Sequence, residues 1–125
     1  MSVSLFNVAF DCADPYSLGQ FWSKVFDQPL HDDDHPGDPE TSIALPDGPN
    51  LYFQRVPEAK MVKNRVHICL RPDGDRDAEV RRLTALGATL VDDRREPDGH
   101  GWVVLADPEG NELCVLRHSV GRDAT

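Results

Sequence analysis

Four side chains in this sequence are of types that can bind a ligand and move protons: the imidazole of His67, the carboxylate of Glu112, the phenol of Tyr52 and the amide of Gln54. Each lies in a short apolar run that reads as a β-strand, where successive side chains point to opposite faces. Alternation makes Gln54 face as Tyr52 does, Glu112 as Cys114 does, and Cys69 and Arg71 as His67 does. Lining one trough, the set can hydrogen-bond a polar ligand. His67 titrates near neutrality and can act there as a base, with Glu112 or Tyr52 as its partner. Two plainer readings stand beside this one: His67 as a satisfied core histidine, and Glu112 as a solvated strand end. Trp102, just after the turn Gly99-His100-Gly101, offers a flat apolar face that suits a ligand wall or ordinary core.

Other constellations carry less. The run His31-Asp32-Asp33-Asp34-His35 holds potential cation ligands, but adjacent residues on a loop rarely converge on one ion. Asp92-Asp93-Arg94-Arg95-Glu96 reads as solvated surface around a hairpin. Cys12, Cys69 and Cys114 are odd in number, sit in apolar runs and form no CxxC, which points to reduced, buried thiols and a cytoplasmic protein. The chain has no glycine-rich phosphate loop, no supported Ser-His-Asp order and no zinc-ribbon spacing.

The elements that position these residues follow from periodicity and punctuation. Residues 5–12 form a mostly apolar run and predict a buried strand. Asp14-Pro15 is a helix start, with the aspartate as N-cap and the proline where its missing N–H costs nothing. Leu18, Phe21, Trp22 and Val25 then recur at helical spacing, and Asp27 with Pro29 ends the helix. Residues 31–40 predict a loop or loose edge, followed by strands at 42–45 and 51–56 around the turn Pro46-Asp47-Gly48-Pro49. The order then repeats: a strand at 66–70, a helix capped by Asp75 and stopped at Gly87, and strands at 89–91, 102–106 and 112–116.

A shift of 60 places Asn7 on His67, Asp27 on Gly87 and Leu30 on Leu90; a shift of 62 places Pro46 on Pro108, Gly48 on Gly110, Leu51 on Leu113 and Tyr52 on Cys114. The two shifts differ by a small insertion, so the chain reads as a duplication. The expected fold is α+β: two βαβββ modules in one chain, whose curved mixed sheets form a ligand trough. Module one covers about residues 3–56, a linker about 57–64, module two about 65–117, and a tail 118–125. At 125 residues there is one domain's worth of chain.

Charge and hydropathy narrow the function classes. A formal net charge of −9 disfavours nucleic acid, whose binding rests on Lys and Arg. No apolar run approaches the roughly 20 residues of a membrane span, and the start Met1-Ser2-Val3-Ser4-Leu5 lacks the basic and apolar pattern of a signal peptide.

Several of these segments together resemble a known superfamily. The strand-Asp-Pro-helix opening, Asn-Arg-Val-His-Ile (64–68), Ala-Leu-Gly-Ala (85–88) and above all Asp-Pro-Glu-Gly-Asn-Glu-Leu-Cys-Val-Leu (107–116) are similar to the glyoxalase/bleomycin-resistance/dioxygenase superfamily, the vicinal oxygen chelate fold, in its bacterial glyoxalase-like branch. The resemblance runs from about residue 5 to 117. It implies paired βαβββ modules with a site in the trough, and commonly a homodimer. The superfamily includes metal-dependent lyases, isomerases and dioxygenases, and also metal-free proteins that sequester antibiotics, so fold alone does not decide function.

The resemblance also implies where a metal would sit. Relatives place ligands on the first and last strands of each module, typically His or Gln, Glu, His and Glu. The corresponding positions here are Asn7, Tyr52, His67 and Cys114. Only His67 matches well. A neutral amide, a phenol and a thiol among apolar neighbours make a poor ligand set for the usual divalent ion. The expectation is therefore a small-molecule-binding protein without metal or other cofactor. Its ligand residues are Asn7, Tyr52, Gln54, His67, Trp102 and Cys114; its partners are a small organic ligand and a second copy of the chain, with no nucleic acid and no membrane. The alternatives are a lyase or isomerase using His67 with Glu112 or Tyr52, and a divalent-metal enzyme with displaced ligands; Cys114 and His67 holding zinc is the specific loophole.

Overall fold

The apolar run after Leu5 settles into strand β1 (Asn7–Cys12), and Asp14-Pro15 turns the chain into helix α1 (Pro15–Phe26). The computed structural model describes residues 2–118. Asp14 caps α1 by accepting a hydrogen bond from the Ser17 amide at 3.2 Å, which satisfies one of the helix's orphan donors. Asp27 closes the helix in the left-handed region, at φ 52°, with its amide bonded to the Ser23 carbonyl. Strands β2 (Glu40–Ile43) and β3 (Asn50–Arg55) complete a three-stranded sheet in the order β1-β3-β2, with β1 parallel and β2 antiparallel to β3. Leu30 reaches this sheet only through one bridge to Ile43, because the acidic, proline-broken segment after it cannot continue a ladder.

One side of the sheet carries Phe10, Leu51, Phe53 and Ile43 against the apolar face of α1. Phe10 links the two layers, with ring centroids 5.3 Å from Trp22 and 5.1 Å from Phe53. Gly19 allows this closeness: a Cβ there would lie 2.7 Å from Thr41 Cγ2.

The second half repeats the plan in full. Strand β4 (Ile68–Leu70), helix α2 (Arg76–Leu86), and strands β5 (Thr89–Asp93), β6 (Val103–Ala106) and β7 (Glu112–Val115) form a sheet in the order β4-β7-β6-β5. Asp75 caps α2 through the Ala78 amide at 2.9 Å, and Gly87 ends it at φ 123°. Val103, Leu105, Leu113 and Val115 share the fully buried side of this sheet, and Leu83 of α2 is equally buried. The chain divides into two compact units, Met1–Ala59 and Lys60–Thr125.

The register confirms the duplication at atomic level. Val8 pairs with Leu51, and the shifts of 60 and 62 carry that pair onto Ile68 and Leu113, which are also partners. The same operation carries Ala9 and Tyr52 onto Cys69 and Cys114. The α+β fold expected from the sequence is the fold observed, with strand ends adjusted. Strand β2 starts two residues earlier than periodicity indicates, because its length follows pairing with β3. Strand β4 starts two residues later, leaving Val66 78% exposed and His67 just ahead of the ladder. Strand β5 extends through Asp92 and Asp93 past a bulge, since both still pair with β6.

Candidate functional site

Away from α1, the first sheet presents a polar face. Register and alternation place Asn7, Asp11, Asn50, Tyr52 and Gln54 there, with Ser42 and Glu40 from β2 beside them. Gln54 donates from Nε2 to Asp11 Oδ1 at 2.7 Å. The Tyr52 hydroxyl donates to a Glu40 carboxylate oxygen, and that bond, more than burial or the carboxylate's charge, raises the phenol above its ordinary pKa. Tyr52 is thereby held as a neutral donor.

Beside Tyr52 opens a cleft of about 500 Å³ lined by His31, Asp33, Asp34, Asp38, Pro39, Glu40, Thr41, Ser42 and Tyr52. The acidic segment makes this cleft, and its own bonds explain its shape. His31 Nδ1 accepts from the Asp33 amide at 3.1 Å, Asp38 from the His35 amide at 2.8 Å, and Asp34 from the Ser42 amide at 3.0 Å. These turns fold the segment back on β2. Sequence reading assigned the run to a loop and missed its place as a wall; the signal was four aspartates ahead of β2, the strand that pairs with the one carrying Tyr52.

In the second sheet, Cys69 and Cys114 are register partners across β4 and β7, and Val104 of β6 lies opposite Cys114 on its other side. Alternation along β7 brings Glu112 to the same side as Cys114. The ligand atoms of His67, Cys69 and Cys114 all lie within 4.8 Å of one another. Cys114 is 6% exposed, while Cys69 is exposed. Burial first, then the neighbouring Cys69, pushes the Cys114 thiol up to about 11.

Glu112, expected from the sequence as a partner for His67, is engaged by the segment that precedes β4. Its carboxylate accepts from Lys63, from Lys60 at 3.4 Å and from the Asn64 amide at 3.1 Å, while Asn64 Oδ1 accepts from the Glu112 amide at 3.1 Å. Lys63 chiefly, with the Asn64 amide and Lys60 adding to it, lowers the carboxyl to about 2 against the cost of burial. Glu112 fastens residues 60–64 to β7.

Trp102 is half-buried and is positioned by a clasp. Arg76, the first residue of α2 and only 8% exposed, donates from one terminal nitrogen to the carbonyls of Gly99, His100 and Gly101 at 3.2, 3.1 and 2.9 Å. Gly101 adopts φ +91° with Arg94's carbonyl so close that a Cβ would lie 1.9 Å from its oxygen.

The four positions that hold a divalent ion in metal-using relatives do not, as a set, suit an oxygen-seeking ion here. Asn7 offers a neutral amide, Tyr52 spends its proton on Glu40, and Cys114 is a protonated thiol paired with Cys69. His67 alone remains a good donor. An oxygen-seeking ion needs several carboxylate or imidazole groups, and this set lacks them.

Among solved structures, the chain is similar to a glyoxalase/bleomycin resistance protein/dioxygenase family enzyme from Burkholderia phytofirmans PsJN, at TM-score 0.71 and 17% identity over 92% of this chain and 98% of that one. It is similar to a possible glyoxalase from Bacillus cereus at TM-score 0.69 and 16% identity, over 92% and 99% of the two chains. A glyoxalase-related enzyme from Fulvimarina pelagi matches at TM-score 0.69 and 15% identity, over 98% and 95%. No curated protein matches the sequence. A family described as glyoxalase-like domain matches residues 7–116, and the chain belongs to that family.

Proposed function

We propose that this glyoxalase-like protein binds a small organic molecule and does so without the divalent ion its family's metal enzymes use. One observation carries the reading: the Tyr52 phenol donates to Glu40 at the edge of a cleft of about 500 Å³, so the position that relatives give to a metal-binding carboxylate serves here as part of a polar binding wall. A cleft of this volume suits a small ligand. Asn7 and Gln54 add amide groups to the same face, and in the second sheet Cys114 lies at the position equivalent to Tyr52 with a ligand atom of His67 close to its sulfur.

Acceptors dominate the cleft, with Asp33, Asp34, Asp38 and Glu40 all on its lining. The ligand class they favour is rich in hydrogen-bond donors or carries positive charge. Binding is favoured over turnover because Glu112 is engaged by two lysines and Tyr52 by Glu40, so both of the partners expected for His67 are already committed to other groups. Cys12, Cys69 and Cys114 stand outside any disulfide, in keeping with a reducing, cytoplasmic setting, and among the described residues no helix is long and apolar enough to cross a membrane.

The test is a thermal-shift screen of small amines, neutral polyols and carboxylates with EDTA present. Cationic and donor-rich compounds raise the melting temperature, and Tyr52→Phe or Glu40→Gln weakens the best of them about tenfold, or about 1.4 kcal/mol. A requirement for manganese or nickel, or binding confined to carboxylates, would overturn the reading. Product formation from a bound compound, lost in His67→Ala, would return the protein to the lyase or isomerase class.

A further inference from the structure

We propose that the second module binds a soft, thiol-seeking cation of the zinc class through His67, Cys69 and Cys114. Cys69 lies outside the four metal positions of the family, and Asn7 and Tyr52 take no part. The proposed site shares His67 and Cys114 with the set that fails the fit above and differs from it in its donors, with the Cys69 thiol in place of the Asn7 amide and the Tyr52 phenol.

Geometry supports it first. The three ligand atoms lie within 4.8 Å of one another. A tetrahedral zinc with sulfur at about 2.3 Å and nitrogen at about 2.0–2.1 Å separates its ligand atoms by roughly 3.5–3.8 Å. Closing the set around an ion therefore needs side-chain movements of about 1 Å. Two of the three donors sit on paired strands and are held in register: Cys69 faces Cys114 directly, and the ladder continues through the Leu116 amide to the Leu70 carbonyl at 2.8 Å. His67 precedes β4 and is exposed, so its ring is the part free to swing.

Chemistry supports it independently. Two sulfurs and one imidazole nitrogen select d10 cations and reject magnesium, calcium and manganese, which require oxygen. Neither thiol is tied up in a disulfide. Cys114 is buried while Cys69 and His67 reach solvent, so an ion enters from the open side and keeps a fourth position for water or another small donor. Binding replaces two S–H protons by one divalent ion, releases both protons to solvent and leaves the two thiolates and the cation with no net charge. That balance removes the penalty of an unpaired buried thiolate.

The experiment uses the full chain, fully reduced and stripped with chelator, titrated with Co²⁺ and Cd²⁺ and followed by thiolate-to-metal charge-transfer absorbance. The expected result is one equivalent of either ion, displacement of Co²⁺ by Zn²⁺, and no competition from a hundredfold excess of Mg²⁺ or Mn²⁺. Cys69→Ser removes most of the band and weakens binding at least tenfold. This exposed position tests the proposal even if Cys114→Ser fails to fold. Asn7→Ala combined with Tyr52→Phe leaves the titration unchanged while it impairs the small-molecule site, so the two proposals fail separately. Absence of a thiolate band, unchanged affinity in Cys69→Ser, or loss of binding in the Asn7/Tyr52 double variant would each overturn the site.

Discussion

Glu112 shows how a residue type can be legible in a sequence while its task is not. Alternation correctly assigns its face, but its partners lie 48 to 52 positions away and lend the carboxylate to structure. The pH consequence follows from its folded value of about 2 against an ordinary 4.5. A carboxyl depressed by folding stabilises the protein above its unfolded pKa, and that contribution disappears as pH falls from about 4.5 towards 2. Glu112→Gln should therefore lower stability at pH 7 and flatten the acid limb of a denaturation profile over that window. Lys63 is well exposed, so solvent screening holds the loss to about 1 kcal/mol. A parallel acid limb in the variant would contradict the clamp. Tyr52 teaches the same lesson: its position was visible from the repeat, but the Glu40 that holds its proton belongs to a strand whose start periodicity misplaced.

Elements whose signals are local were legible almost to the residue. Asp14-Pro15, Asp75 and Gly87 do their work through contacts within a few positions, and α1 and α2 begin and end where those residues dictate. Strand ends depend on a partner elsewhere in the chain, and this is where β2, β4 and β5 departed from expectation. The β5–β6 connection hides a constraint no periodicity reveals, the approach of Gly101 to the Arg94 carbonyl. Gly101→Ala should destabilise by about 2–4 kcal/mol, combining left-handed strain with a backbone clash. Gly99→Ala, at φ +92° with nothing near its Cβ, carries the strain alone and should cost about 1 kcal/mol. Urea unfolding of the two variants separates these outcomes; equal losses would show that the clash relaxes.

Each sheet ends, among the described residues, on strands paired along one side: β1 and β2 in the first, β4 and β5 in the second. Apolar side chains lie exposed beside them: Leu5 and Phe6 before β1, Val66 before β4, and Leu90 and Val91 on β5. Open edges with exposed apolar residues call for a covering partner, and a second copy of the chain is the expected one. Light scattering from micromolar concentrations upward should report about twice the mass of one chain. Replacing Phe6 and Val66 together by Ser should shift it towards the monomer. A monomer at every concentration would show that these edges tolerate water.

The shared register of the two halves bears on ancestry. Strand pairs related by shifts of 60 and 62, yet holding Ala9 with Tyr52 in one copy and Cys69 with Cys114 in the other, are what fusion of two identical units followed by separate drift leaves behind. A symmetric pair of single modules must present every donor twice, so any substitution alters both faces together. Joining the copies in one chain breaks that symmetry. One face was then free to become an oxygen-rich wall and the other to gather sulfur, and neither change was forced on its twin.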